Sequence, residues 1–243
     1  MPKPRGTDNR NFDQTDLNEA HHGKFVHRDY AAHYFRWGFA SRFIKSEHKV
    51  IEIGCGQDTP LAKALTHRKQ TYPKRYIGVD LNPLPKVPNF AWSTFYGEFN
   101  FCKDYAKLPK NNDVIVHLEV IEHMQVKFGR QLLKGCNYLL KKGGVMICST
   151  PVFNGRQANN HIHEYTVDEL WKEIEKAGFE IIGRYGTFMN VTEVTKRNSK
   201  VGPDHQEVFN ELSEYYSNDV LSTFLAPLYP DLCRNNIWIC KKK

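Results

Sequence analysis

The feature that most constrains the fold is a regular alternation of short apolar runs with helix patterns between residues 47 and 190. Each run is continuously apolar, which is typical of strands that are buried on both faces. Such strands, joined by helices, predict a mainly parallel sheet with helices on both faces. The runs read KVIEIG, RYIGVDLN, NDVIVHLEV, VMICSTP and FEIIGRYGTF, and NIWIC follows at 236–240. Ligands bind such sheets beyond the carboxyl ends of the strands, so the residues that end each run are the informative ones.

The remaining regions are arranged around this core. We predict a flexible polar arm at 1–20 and then a single domain over 21–243, because no repeat or low-complexity tract divides the chain. The domain is predicted to consist of a helical cover (21–46), the ligand-binding core (47–190), an insertion over the substrate pocket (191–234), and a last strand with a basic tail (235–243).

Charge and cysteine content narrow the partners. The 243 residues carry a formal net charge of +7, which suits an anionic partner such as RNA or DNA. No apolar run approaches the roughly 20 residues that a membrane span needs, so we expect no membrane partner. The six cysteines form no Cys-x-x-Cys pair, which predicts reduced thiols and a cytoplasmic location.

The loop after the first run has two glycines, Gly54 and Gly56, which allow a tight turn and close approach of a ligand. Thr59 is predicted to cap the following helix with its side chain. A dinucleotide-binding loop would need a third glycine, which is absent, and the carboxylates of Glu52 and Asp58 would repel a pyrophosphate. The loop therefore favours a ligand with a cationic group and no phosphate.

The second run ends in Asp80, in YIGVDLN. A carboxylate at this place can accept hydrogen bonds from both hydroxyls of a ribose. The alternative is an acid that caps a turn.

With these motifs in place, the chain resembles the class I S-adenosylmethionine-dependent methyltransferases. The similarity covers about residues 50–190. The resemblance implies a Rossmann-like, seven-stranded, mostly parallel α/β sheet whose last strand is antiparallel, and S-adenosylmethionine as cofactor. The matching motifs, in the family's order, are VIEIGCG, YIGVDLN, KDYAKLP, NDVIVHLEVIEHM, LLKKGGVMICSTP and HIHEYTVDEL.

The resemblance also implies a set of cofactor-binding residues. The first loop would hold the methionine part, Asp80 the ribose, and Asp104 the adenine amino group. The full predicted set is Glu52, Gly54, Cys55, Gly56, Asp80, Leu81, Asp104, Tyr105, Leu118 and Glu119.

A cluster of acids and histidines lies at the end of the run NDVIVHLEV and after it. Glu119, Glu122 and His123 are the candidate catalytic residues, and together with His161 they could bind a divalent metal. The spacing resembles the small-RNA 2′-O-methyltransferases, which use a Glu-x-x-Glu-His set with a distant histidine. The alternative is a packing and capping role for Glu122 and His123 at a helix start.

Two further segments have candidate roles at the substrate pocket. Aromatic side chains recur at helical spacing in HRDYAAHYFRW, among them Tyr34 and Trp37, and this pattern suits either packing on the sheet or a cover over the ligand. The basic loop around Lys196 and Arg197 is either part of a pocket cover or an ordinary solvated surface.

These observations predict a methyltransferase that acts on a nucleic acid or nucleotide-type acceptor. The alternatives are a small-molecule O- or N-methyltransferase and a cofactor-binding scaffold without catalysis.

Overall fold

The structure is a computed structural model. It describes residues 21–22, 25–26, 28–66, 72–189, 191–195 and 199–243. The polar arm predicted at 1–20 lies outside the described residues.

Seven strands of the described chain form one sheet, in the order β5-β4-β3-β6-β7-β9-β8. Two short strands that precede it, β1 and β2, pair with each other as an antiparallel ribbon. The bounds are β1 His21–His22, β2 Phe25–Val26, β3 Lys49–Ile53, β4 Arg75–Val79, β5 Ser93–Tyr96, β6 Asn112–Leu118, β7 Leu140–Pro151, β8 Phe179–Met189 and β9 Cys233–Lys242.

The pairing confirms the predicted Rossmann-like fold. β3 pairs in parallel with β4 and β6, and the parallel pairing continues outward to β5 and to β7. The last strand, β9, is antiparallel to both β7 and β8. β5 is an edge strand that the sequence did not reveal, because its four residues are only half-buried on alternate positions.

Helices connect the strands. Their bounds are α1 Arg28–Ser41, α2 Pro60–Thr66, α3 Phe101–Asp104, α4 Val126–Leu139, α5 Val167–Lys176, α6 Val191–Thr195, α7 Pro203–Leu212 and α8 Asn218–Leu225. Of the helices in the described ranges, none is long and apolar enough to cross a membrane.

Helices α5 and α2 differ in how they begin. At α5, the Thr166 side chain accepts from the backbone N–H of Glu169, whose carboxylate accepts from Thr166 in return. At α2 the predicted cap is wrong. Thr59 has a φ of 46°, and its buried hydroxyl oxygen has no hydrogen-bond partner in the described structure. Thr59, which follows the glycine loop, has a left-handed backbone conformation. A residue whose side chain caps a helix needs an extended backbone instead.

The sheet is covered on both faces. On one face, α1 and α2 contribute Trp37, Ile44 and Leu61 to a core with Val114 and Val116 of β6. On the other face, α4 and α5 pack on Ile115 and on Trp238 of β9. Because successive residues of β6 point to opposite faces, this central strand is buried on both.

The insertion between β8 and β9 has its own apolar cluster, which includes Phe209 and Leu221. Helix α8 packs against β8 and α1. The predicted position of the insertion over the substrate pocket stays a prediction.

Candidate active site

The carboxyl ends of the parallel strands β3, β4, β5, β6 and β7 lie along one edge of the sheet. A cavity of about 1380 Å³ opens there. It is larger than the roughly 300–1,000 Å³ of an ordinary ligand pocket, so it has room for two small molecules side by side. Its walls come from the segments that follow β3, β4, β5 and β6, and from residues 159–162 after β7.

The loop after β3 is folded onto the end of β4. The backbone N–H groups of Gly54 and Cys55 both donate to the carbonyl oxygen of Val79, at 2.8 and 3.3 Å. Gly54 has a φ of +72° and lies so close to Val120 that a Cβ atom would be 2.5 Å from its Cγ2. Gly56 has a φ of +67° and open space around the position of a Cβ. The glycines therefore allow both the turn and the close contact between the loops after β3 and β6.

Asp80 connects this loop to the end of β4. One carboxylate oxygen accepts from the backbone N–H of Gly56 at 2.9 Å, and the other accepts from that of Asn82 at 2.9 Å. Each oxygen keeps a further lone pair, so the carboxylate can still accept hydrogen bonds from a ligand. Asp80 is a buried residue that lines the cavity, and Leu81 beside it is 67% exposed at the rim.

Glu52 and Cys55, both predicted to bind the cofactor, lie beneath this loop and outside the cavity wall. Glu52 accepts a hydrogen bond from the hydroxyl of Tyr76. Burial raises the pKa of Glu52 to about 8, with Asp80 acting in the same direction and the Tyr76 hydrogen bond opposing. Burial also raises the pKa of the Cys55 thiol.

Glu119 follows β6, has a φ of 57° and lines the cavity. Its Oε1 accepts from Ser149 Oγ at 2.7 Å, and its Oε2 accepts from the side-chain amide of Asn235. Nε of the buried Arg36 lies 3.8 Å from Oε1. Two strands, β7 and β9, thus supply hydrogen-bond donors and α1 supplies a positive charge, which together hold one carboxylate in a left-handed turn.

Three of the four candidate metal ligands, Glu122, His123 and His161, lie close together. One carboxylate or ring-nitrogen atom from each lies within 4.8 Å of the others. Glu122 is buried, with Oε2 accepting from Thr150 at 3.1 Å, while Oε1 has no hydrogen-bond partner among the described residues. Burial raises the pKa of Glu122, and so does the neighbouring carboxylate of Glu119.

Each of the two histidine rings has a partner at its Nδ1 atom. Nδ1 of His123 contacts the carbonyl oxygen of Asn160 at 3.1 Å, and Nδ1 of His161 contacts Oε1 of Glu164 at 2.6 Å. Because both partners are acceptors, both Nδ1 atoms carry a proton, and His123 in its neutral form has its lone pair on Nε2. Nε2 of His123 is 4.0 Å from Oε1 of Glu122. Burial, reinforced by His161, lowers the pKa of His123.

Two predicted residues lie away from the cavity wall. Asp104 pairs with Lys107 at 2.7 Å, and Tyr105 packs on Phe101 and Tyr138. The preceding residues of α3 and its cap line the cavity in their place, namely Asn100, Phe101, Cys102 and Lys103. The sequence did not identify these residues as wall residues, because a four-residue helix is too short to give a recognisable periodic pattern. The binding of adenine by Asp104 stays a prediction.

The predicted set therefore divides in two. Gly54, Asp80, Leu81, Glu119 and His123 line the cavity. The others lie behind or beside it, and they are Glu52, Cys55, Gly56, Asp104, Tyr105, Leu118, Glu122 and His161. Sequence reasoning missed the donors to Glu119 and the wall residues Phe99, Phe128, Asn159, Asn160 and Ile162.

Comparison with known proteins is consistent with this geometry. A family model described as a methyltransferase domain matches residues 24–183, more than half of the chain. The chain belongs to the class I S-adenosylmethionine-dependent methyltransferase family. The more specific resemblance to small-RNA 2′-O-methyltransferases stays a prediction.

Curated relatives of this methyltransferase include two ubiquinone biosynthesis O-methyltransferases from strains of Cereibacter sphaeroides. One is 33% identical over 165 residues, with 58% of this chain and 64% of that protein covered. The other is 31% identical over 107 residues, with 37% and 42% covered. The chain thus spans less than two thirds of the length of these relatives.

Solved structures share the fold. A SAM-dependent methyltransferase from Archaeoglobus fulgidus superposes with a TM-score of 0.59 at 19% identity, covering 89% of this chain and 95% of that one. The Burkholderia thailandensis 1,6-didemethyltoxoflavin-N1-methyltransferase, which was solved with bound 1,6-didemethyltoxoflavin and S-adenosylhomocysteine, gives a TM-score of 0.57 at 13% identity. The coverage is 88% of this chain and 79% of that one.

The residues present fit the family's cofactor. The open space at Gly56 would be filled by a side chain in most other residues, and it lies next to the two lone pairs that Asp80 keeps free. Asp80 and Glu119 give the wall carboxylates that suit a sulfonium and an ammonium group.

Proposed function

We propose that this protein transfers the methyl group of S-adenosylmethionine to a hydroxyl oxygen of a small molecule. The observation that carries the proposal is the Nε2 lone pair of His123, a residue of the cavity wall. The names of the curated relatives, which are O-methyltransferases of ubiquinone biosynthesis, support a small-molecule acceptor over the nucleic acid predicted from charge.

The protein's own groups have separable roles in this proposal. The loop at Gly54–Gly56 and the carboxylates of Asp80 and Glu119 would hold S-adenosylmethionine. When bound, this cofactor supplies a methyl group on a positively charged sulfur. Apolar wall residues such as Met124, Phe128 and Ile162 would bind the carbon skeleton of the acceptor.

His123 would act as the general base. A hydroxyl is a weak nucleophile, and removal of its proton as the oxygen–carbon bond forms increases the rate. The hydrogen bond from Nδ1 to Asn160 fixes the ring so that Nε2 is the accepting atom. The lowered pKa of His123 keeps that nitrogen unprotonated at neutral pH.

The test is a labelled-methyl transfer screen against hydroxylated aromatic compounds, the corresponding amines, total RNA and genomic DNA. Incorporation into hydroxyl compounds alone is the expected result. His123→Ala should lower kcat by about 100-fold or more, the usual contribution of a general base. His163→Ala is the matched control, because His163 packs on Tyr165 in the same segment. Transfer only to amines or nucleic acid would contradict the proposal.

Cofactor binding is tested separately by calorimetric titration with S-adenosylhomocysteine. Asp80→Ala should weaken binding by at least about tenfold, since the carboxylate also holds Gly56. Asp58→Ala removes an acid from the same loop that pairs with Lys63, and should leave the affinity unchanged. Full affinity in the Asp80 variant would argue against the cofactor assignment.

A divalent metal is the alternative to a histidine base, because a His123 nitrogen that binds an ion cannot also accept the hydroxyl proton. Oε1 of Glu122 is a buried oxygen without a hydrogen-bond partner in the described structure, and one ring nitrogen each of His123 and His161 lies within 4.8 Å of the group. The contacts of the Nδ1 atoms with Asn160 and Glu164 resemble the outer-shell partners of metal-binding histidines. Glu119 is outside this group of three, because Ser149 and Asn235 occupy its oxygens. When bound, an ion there would supply positive charge that favours ionisation of the acceptor hydroxyl.

Calorimetric titration of the chelator-treated protein with Mn²⁺ and Zn²⁺ tests the metal without an activity assay. Binding by the unaltered protein and its loss in His161→Ala are expected, with His163→Ala again as control. Equal binding by both variants would remove His161 from the site. No binding by the unaltered protein would leave His123 as a base that works without a metal.

A further inference from the structure

The sheet has a second edge, formed by the amino ends of its parallel strands. β3, β4, β6 and β7 all begin there, and the antiparallel β9 ends there, since Lys241 is in register with Val145. β8 begins at the same edge, with Phe179 opposite Lys242. This edge is on the opposite side of the sheet from the cavity.

Basic side chains concentrate at this second edge. We define the basic edge as residues 45–49, 74–75, 110–113, 141–142, 176–180 and 241–243. These segments hold eleven Lys and Arg residues but only three acids, Glu47, Asp113 and Glu180. The formal net charge of these segments, eleven minus three or +8, exceeds the +7 of the whole chain. The rest of the protein therefore has close to no net charge.

Some of these cations have partners within the protein. Lys141 pairs with Asp113, and Nζ of Lys242 donates to the carbonyl oxygens of Asn137 and Leu140. Six exposed lysines form no ion pair with the acids of the described chain, and they are Lys45, Lys74, Lys110, Lys142, Lys241 and Lys243. Their charges are available to an external partner.

The width of the edge suits an extended polyanion. Six neighbouring strands, spaced about 4.8 Å apart, span roughly 24 Å. A nucleic acid duplex carries one negative charge per about 1.7 Å of its axis, so roughly 14 phosphates fall within that length. A single small anion would leave most of the edge uncovered.

The edge lacks the apolar side chains with which a protein inserts into a lipid surface. None of the exposed large apolar residues of the described chain falls within the segments that define the edge, and the ring of Tyr138 near it has the ammonium group of Lys110 3.8 Å from its centre. Charge without exposed apolar area favours binding to phosphates at a surface over insertion into a bilayer.

We propose that the basic edge is a docking surface for the phosphate backbone of a double-stranded nucleic acid. The duplex binds on the opposite side of the sheet from the cavity, so it is a docking partner and not the methyl acceptor. Recognition is independent of base sequence, because lysine contacts to phosphates read no base. This docking is independent of the proposed small-molecule activity.

The experiment measures the anisotropy of a fluorescein-labelled 12-base-pair DNA duplex of mixed sequence, without methyl donor, between 50 and 200 mM KCl. Binding should weaken with a slope of log K against log salt of about −4 to −5, as expected for roughly five phosphate contacts. No binding at 50 mM KCl would overturn the proposal.

The key variant is Lys110→Glu/Lys142→Glu/Lys243→Glu. It should lose at least about tenfold in affinity, with a slope flatter by about three. The control Lys86→Glu/Lys127→Glu/Lys200→Glu changes the net charge equally, but its three exposed lysines follow the carboxyl ends of strands. Equal loss in both variants would show a diffuse charge effect and overturn the assignment to this edge.

Two further arms complete the test. The corresponding Lys→Gln triple variant at the basic edge, checked by its thermal midpoint, replaces the Glu variant if the latter fails to fold. Phosphatidylserine vesicles and polyglutamate are added as competitors at equal charge. Displacement of the duplex by either one at a concentration where the DNA itself competes would overturn a nucleic acid in favour of a membrane or an acidic protein.

Discussion

Glu52 and Glu119 lie near the carboxyl ends of neighbouring parallel strands, but their surroundings differ. Glu52 is buried under the glycine loop and has one hydroxyl partner, Tyr76. Glu119 lines the cavity and is held by side chains from α1, β7 and β9. A position at the end of a strand therefore does not determine the role of a carboxylate. The hydrogen-bond donors around the carboxylate determine it.

Replacement of Glu119 should give the largest effect. Glu119→Ala leaves the buried guanidinium of Arg36 without its carboxylate partner and the amide of Asn235 without its acceptor, at a cost of about 3 kcal/mol or more in the free energy of unfolding. Urea unfolding measures the change, with the half-exposed Asp58→Ala as the control. If Glu119→Ala is no less stable than Asp58→Ala, the contacts of Glu119 with Arg36, Ser149 and Asn235 do not contribute to the stability of the fold.

Replacement of Glu52 should act in the opposite direction. The folded-state pKa of Glu52, about 8, exceeds its unfolded value, so the fold favours the protonated form. Glu52 thus costs no stability below about pH 4.5, and its penalty grows as the pH rises to about 8, by at most about 1.4 kcal/mol per pH unit.

Glu52→Gln lacks this penalty and should be more stable than the unaltered protein at pH 6.5, two pH units above the unfolded pKa, by about 2.7 kcal/mol, with little gain at pH 4.5. Unfolding free energies at a series of pH values measure the difference. Tyr76→Phe is the companion variant, because it removes the hydroxyl that donates to Glu52. A gain that is independent of pH would contradict a raised pKa.

Gly54 follows Glu52 in the glycine loop and contacts Val120, the residue after Glu119. Its replacement should change the free energy of unfolding less. Gly54→Ala places a Cβ 2.5 Å from Cγ2 of Val120 in a left-handed conformation, which should lower stability by about 2 kcal/mol. The additional change Val120→Ala should restore the part that comes from the clash. Gly56→Ala also places an alanine at a positive φ, but without the clash. Equal losses of stability in Gly54→Ala and Gly56→Ala would therefore mean that backbone strain alone lowers the stability.

The smallest expected effect is that of a single donor. Ser149→Ala removes one of the hydrogen bonds to Glu119 and should cost about 1 kcal/mol. Thermal unfolding measures it, with Ser46→Ala as an exposed control. A loss as large as that of Glu119→Ala would mean that the network depends on Ser149 alone.

The fold and the position of the cavity follow from local patterns. Continuous apolar runs such as KVIEIG and NDVIVHLEV identify buried strands, and parallel strands bring their last residues together at one edge. That is why Gly54, Asp80, Glu119 and His123 were found from the sequence and indeed lie around one cavity.

The supporting contacts could not be predicted, because they join distant parts of the chain. Asn235 is 116 residues from Glu119 and comes from a different strand. Local side-chain direction was equally hidden. Asp104 is one residue beyond the stretch that lines the cavity, and the turn of the short helix α3 brings it to Lys107 instead.

The place of β9 has a consequence for how the protein matures on the ribosome. β9 lies between β7 and β8, and in the described chain β8 joins the sheet through β9 alone. A nascent polypeptide that has reached Leu232 therefore carries β8 without its neighbour, and Glu119 without Asn235. The segment Cys233–Lys242 therefore supplies both the strand that β8 pairs with and the amide that Glu119 accepts from, and both contacts wait for its emergence from the exit tunnel.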